Sequence, residues 1–155
     1  MKTIKTIGVV VIILGIIALG VGGAFLGMGV AKNNQIATSL RAEKVTLGIS
    51  QEDVDLGQVV DTMSEAQKAA ETLTAHRQSI ALSYSELLNG AKFDPTNSKQ
   101  LTYAQAMNLQ NNMYTAVVAF GLAQSIMANG AFMLAAGLAL ILAGLALYKL
   151  SVKII

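Results

Sequence analysis

This chain of 155 residues has no cysteine, one histidine, one proline and few charges, which make up 13% of it. Without cysteine it has neither disulfides nor a thiolate metal site. The lone His76 cannot complete the two- or three-histidine set that zinc or non-haem iron usually takes, so neither a metal nor another cofactor is expected. With Pro95 as the only proline, nothing of that kind interrupts a helix on either side of it. Charge is scarce and also segregated. Lys2, Lys5, Lys149 and Lys153 make both ends basic, while the middle holds all nine acidic residues against seven basic ones. A net charge of +2 distributed this way is no footprint for nucleic acid, because the excess lysines flank apolar runs where lipid headgroups lie.

Those apolar runs are the strongest feature present. From Ile7 to Ala31 no side chain is charged or hydrogen-bonding. As a helix this run is about 37 Å long, more than a hydrocarbon core of about 30 Å. Ala131 to Tyr148 forms a second, shorter run of about 27 Å, extended by the mostly apolar residues from Met113 onward. A secretory signal is the alternative for the first run, with Gly29-Val30-Ala31 as a small-residue cleavage pattern. Signal cores reach only about 15 residues, which favours a span. The expected fold is thus an all-α membrane protein in which two antiparallel transmembrane helices flank an extramembrane helical domain. Its segments are a basic end at 1–6, a span at 7–31, the helical domain at 32–112, a connecting helix at 113–130, a second span at 131–148 and a basic end at 149–155. The positive-inside rule places both ends in the cytoplasm and exports the middle across the cell membrane, although Lys32, Arg41 and Lys44 oppose that orientation.

Within the domain, Ile36, Leu40 and Leu47 keep a helical spacing, so the first helix is expected to run on to Gly48. Gly48 to Asp61 has no clear period and reads as a loop with one short helical turn. Thr62 and Glu65 form a capping-box pattern that opens a helix, and Asn89-Gly90 closes it after Leu88. Along it Ala66, Ala69, Leu73, His76, Ile80, Tyr84 and Leu87 predict one buried stripe. Phe93-Asp94-Pro95-Thr96-Asn97 reads as a turn. The last helix is expected to restart at Thr102, with Gln105 as capping partner, and to bury Ala106, Leu109, Met113, Val117 and Phe120. Asn129-Gly130 is its weak point.

Glycine carries the most specific pattern. Gly8, Gly15, Gly22 and Gly29 recur every seven residues in the first run, and Ala123, Gly130, Gly137 and Gly144 keep the same interval in the second. Seven residues are two helical turns, so each set lines one narrow stripe. Facing small-residue stripes let two helices pack closely where lipid gives no hydrophobic drive. A second small-residue face, Gly20, Gly23 and Gly27, is left for another copy or a different membrane protein.

The candidate chemical residues are weaker. His76 lies beside Arg77 and near Glu71, but general acid–base work needs convergent partners. Glu52, Asp53 and Asp55 lack the spacing of a calcium loop and read as a solvated acidic loop. Gln124, Ser125 and Asn129 are the polar residues nearest the second span, where polar groups bond across helices or line a pathway. No ionisable residue falls inside either span, and no glycine spacing matches a phosphate loop.

The segments Leu40-Arg41-Ala42-Glu43-Lys44-Val45-Thr46-Leu47-Gly48, Phe93-Asp94-Pro95-Thr96-Asn97 and Leu101-Thr102-Tyr103-Ala104-Gln105-Ala106-Met107-Asn108-Leu109 resemble those of an uncharacterised bacterial family of two-span membrane proteins. The resemblance runs over most of the chain and implies the same architecture. Some such proteins carry the label of aromatic ring-opening dioxygenase. Iron chemistry of that kind normally needs at least two histidines and a carboxylate, against His76 alone here.

The functional expectation is a non-enzymatic membrane protein, partnered by the lipid bilayer and by itself or another membrane protein, acting as a structural, assembly or accessory subunit. A sensor enclosing a ligand among His76, Tyr84 and Tyr103 is the alternative. An enzyme built from His76, Arg77 and carboxylates of the 50s loop is the third.

Overall fold

The protein is described by a computed structural model that covers residues 2–153. Met1, Ile154 and Ile155 and the side chains of Lys2 and Lys153 lie outside that description, and with them part of the basic ends at 1–6 and 149–155. The described residues form five helices and no strand: α1 (Lys2–Glu43), α2 (Gln51–Asp55), α3 (Met63–Ile80), α4 (Tyr84–Leu88) and α5 (Ser98–Lys153). At the α-helical rise, α1 is about 63 Å long and α5 about 84 Å. Each is long and apolar enough to cross a membrane. The chain divides into two compact units, one from residues up to 32 and from 122 onward, the other from residues 33–121.

The first unit pairs the apolar parts of α1 and α5. Its outer surface is built from large apolar side chains: Ile17 is 56% exposed, Phe132 73% and Leu142 68%.

The second unit is packed largely through alanine. Ala66, Ala69 and Ala70 of α3 are fully buried, together with Ala37 and Leu40 of α1 and Ala106, Met113, Ala116 and Phe120 of α5. Small side chains bring these helices close together and let a few large ones, Phe120 and Val60 among them, fill what remains.

Three boundaries differ from the sequence expectation, each for a local reason. The first helix stops at Glu43 rather than running to Gly48, because Lys44 turns left-handed (φ 50°) and its N–H donates to the Arg41 carbonyl at 3.2 Å. The 50s loop does contain the expected short helical turn, α2, started by the Ser50 hydroxyl, which accepts from the Asp53 N–H. The expected helix from Thr62 to Leu88 is two helices. Its capping box forms at Thr62 and Glu65, but Ala81 is extended (φ −159°, ψ 142°), and Ser83 caps a new short helix, α4. Asn89 and Gly90, both at positive φ, therefore close α4 and not α3. The last helix begins at Ser98 rather than Thr102, because the Asn97 side chain accepts from the N–H groups of Lys99 and Gln100. It then runs without a break through Asn129-Gly130.

The loop between α1 and α3 is held down at two points. The Val60 N–H donates to the Val45 carbonyl at 2.7 Å. Gly48 lies against the α3 backbone at φ 78°, where an added Cβ would be 2.9 Å from the Lys68 carbonyl carbon and 3.0 Å from the Ala69 nitrogen. Gly57 has a similar φ of 81° with open space around it. Gly48→Ala is accordingly expected to cost about 2–4 kcal/mol, left-handed strain plus overpacking. Gly57→Ala should cost only the strain, about 1–2 kcal/mol. Unfolding midpoints of the two full-length variants in detergent check this, and equal shifts would show that the α3 contact contributes nothing.

Candidate functional site

The two small-residue stripes meet position by position in the first unit. An added Cβ on Gly8 would lie 2.9 Å from the Gly144 carbonyl oxygen, on Gly15 2.7 Å from that of Gly137, and on Gly22 2.8 Å from that of Gly130. On Gly29 it would lie 3.0 Å from the Ala123 carbonyl oxygen. The relation is reciprocal. Cβ atoms on Gly130, Gly137 and Gly144 would lie 2.8, 2.8 and 2.7 Å from the carbonyls of Gly22, Gly15 and Gly8. All eight positions are buried, and residue numbers rise along one helix as they fall along the other. Because the obstacle at each point is backbone, a side chain there cannot be accommodated by rotamer change. Between the stripes, Ile12, Leu19, Leu26, Leu134 and Ile141 fill the spaces beside the glycines.

Gly20, Gly23 and Gly27 lie elsewhere on α1, and nothing is within 4 Å of where their Cβ atoms would be. At one end of the unit the Lys5 ammonium sits 5.4 Å from the centre of the Tyr148 ring, a cation–π contact of the kind that favours a membrane border.

The residues singled out for chemistry do not converge. His76 is exposed, not part of the buried stripe, and the helix phase explains why. Ala66, Ala70 and Leu73 set a line whose next member, four residues on, is Arg77. Ile80 and Leu87 are half-buried and Tyr84 is exposed, the last two on α4. The feature that sequence reading missed is built around Arg77. Its guanidinium donates through Nη1 to the Tyr103 hydroxyl and through Nε to Gln110 Oε1 at 3.1 Å. It also lies 5.0 Å from the centre of the fully buried Tyr103 ring, on which Tyr84 packs at 6.2 Å. The four-residue step from Leu73 to Arg77 was the available signal.

His76 instead edges an open cleft of about 370 Å³ with a floor of Leu47, Leu73, Ala106 and Leu109 and Gln105 on its rim. Tyr84 and Tyr103 do not line it.

Two acidic residues of the 50s loop, Asp53 and Asp55, are engaged locally. Asp53 accepts from the Ser50 hydroxyl at 2.7 Å and Asp55 from the Gln51 amide at 2.8 Å. Among the described residues no three histidine or carboxylate side chains are grouped to hold a metal. Glu71 accepts from Gln67 on its own helix. Gln124, Ser125 and Asn129 are all exposed on α5.

In the proline turn, Asp94 Oδ1 accepts from the Thr96 hydroxyl at 2.7 Å and the Thr96 N–H at 2.8 Å. These bonds, the hydroxyl's first, hold the Asp94 carboxyl below its ordinary value of 3.8. A carboxylate lowered in this way supports the turn throughout neutral pH, and the support is lost only as pH falls through its lowered value. Thr96→Val is expected to raise the Asp94 value toward 3.8, read by NMR titration of its carboxyl carbon. An unmoved value would assign the effect to the backbone N–H groups.

Compared with protein families, with curated proteins and with solved structures, the chain matches none.

Proposed function

We propose that this chain is a non-enzymatic integral protein of the cell membrane, a structural, assembly or accessory subunit. In this reading the apolar parts of α1 and α5 form an antiparallel transmembrane hairpin packed through glycine. The termini are cytoplasmic and residues 32–112 extracytoplasmic. One observation carries the reading: eight small positions at a seven-residue interval are buried in backbone-to-backbone contact, while the large side chains of the same helices point outward. A soluble protein does the reverse, and an apolar surface of that extent is stable in lipid.

The open face of Gly20, Gly23 and Gly27 supports the subunit role, since close packing by a further helix needs small residues. Extraction from the native membrane in mild detergent, followed by native mass spectrometry, is expected to recover a defined homo-oligomer or a stoichiometric partner. Recovery of the bare monomer alone would overturn the subunit role. The sensor reading retains one observation, the His76 cleft, whose apolar floor and polar rim suit a small amphipathic ligand.

A further inference from the structure

Beside the glycine interface, on a flank of the first unit, Phe25, Met28, Ala31 and Lys32 of α1 and Ile126 and Asn129 of α5 enclose a groove of about 400 Å³. We propose that this groove holds one anionic glycerophospholipid, with its phosphate on Lys32, an ester carbonyl on the Asn129 amide and the start of an acyl chain against Phe25, Met28 and Ile126.

Three features point to this occupant. The first is level. Lys32 is the first charged residue after the uncharged run from Ile7 to Ala31, so in a bilayer it lies where headgroup phosphates lie. The second is charge. Lys32 is exposed and brings a cation to a cavity whose other walls, Asn129 apart, are apolar. Lys32 is already engaged within the protein, and an ammonium, with three N–H donors, can serve a phosphate as well. The third is the amide. Asn129 neighbours Gly130, which meets Gly22 and Leu26, so it sits deeper along α1 than Lys32. It is exposed there, at a depth where an amide needs a hydrogen-bond partner. In a phospholipid the ester carbonyls lie below the phosphate, in the order in which Asn129 and Lys32 occur. A water-soluble ligand would not need apolar walls open to lipid, and a zwitterionic lipid would bring its own cation to Lys32.

The inference rests on the membrane reading of the first unit, and its test separates the two. The full-length protein is reconstituted into nanodiscs of equal parts phosphatidylglycerol and phosphatidylcholine, released into mild detergent and weighed by native mass spectrometry. One phosphatidylglycerol per chain is expected to remain in preference to phosphatidylcholine. Lys32→Ala should lower that retained share about fivefold, the effect of one lysine near an anionic surface. Lys32→Arg should keep it, and Asn129→Leu should lower it with the charge intact. Equal retention of both lipids, or a Lys32→Ala variant that retains phosphatidylglycerol like the parent, would overturn the lipid site while leaving the hairpin standing. A chain that fails to enter nanodiscs at all would overturn both.

Discussion

Gly15→Leu is expected to destabilise the packing of α1 on α5 by about 3 kcal/mol, the upper end of the overpacking range. The opposing effects can be weighed. Leucine is the better helix former, a gain of about 1 kcal/mol over glycine in a helix interior. Against it, the first carbon of the new side chain already lies 2.7 Å from the Gly137 carbonyl oxygen and 3.0 Å from the Ile141 nitrogen. Neither can rotate away, so the helices must separate along the whole stripe. Separation loses the glycine Cα–H contacts to facing carbonyls, second-order terms of about 0.5–1 kcal/mol each. Gly20→Leu is the matched control, with the same gain in propensity and no obstacle. It should leave hairpin stability no lower than the parent's, and up to about 1 kcal/mol higher, and reduce association with other chains instead. Because Gly15 and Gly137 face each other, leucine at both should cost less than the two single effects combined. Reversible unfolding in mixed micelles measures the parent and the four variants, Gly137→Leu alone included. Equal losses from Gly15→Leu and Gly20→Leu would show that the stripe is not what holds the helices together.

The second large effect belongs to the helical domain. Tyr103→Ala removes a fully buried ring and should cost about 3–5 kcal/mol. It also leaves Arg77 without its hydroxyl acceptor and the ring face beside it. Tyr103→Phe keeps the ring and loses only the hydroxyl. Because Arg77 is half-buried and still donates to Gln110, that loss should be nearer to about 1–2 kcal/mol. Hydrogen exchange of α3 amides in the full-length protein reads both variants. A Tyr103→Phe cost as large as that of Tyr103→Ala would place the stability in the hydroxyl bond and not in the packing.

How much of this was legible depends on how local each signal is. The glycine stripes follow from the sequence alone, because seven residues are two turns and the interval is kept across four positions in each helix. The Thr62–Glu65 box and the left-handed Asn89-Gly90 pair were legible for the same reason, since each is completed within a few residues. Where two local signals competed, the sequence could not rank them. Ser83 and Glu86 form the same spacing as Thr62 and Glu65, and the structure uses it: the Glu86 N–H donates to the Ser83 hydroxyl and Glu86 accepts from the Leu82 N–H. Thr102 and Gln105 form that spacing too, yet it falls inside a helix already begun by Asn97. The left-handed Lys44 that ends α1 has no sequence signature, because lysine carries no preference for that conformation. The displacement of His76 by Arg77 on the buried line is a matter of one residue of helix phase. A stripe drawn through to Leu87 averaged that phase over a break at Ala81.

The most direct test of the central claim uses the absence of native cysteine, which makes any introduced thiol unique. Single cysteines replace Thr3, Ser79 and Val152, all exposed, and a membrane-impermeant maleimide is applied to intact cells and again after permeabilisation. A glycine-packed hairpin with an exported domain predicts that the cysteine at 79 reacts in intact cells and that those at 3 and 152 react only after permeabilisation. Reaction of 3 and 152 from opposite sides, or of all three in intact cells, would contradict it.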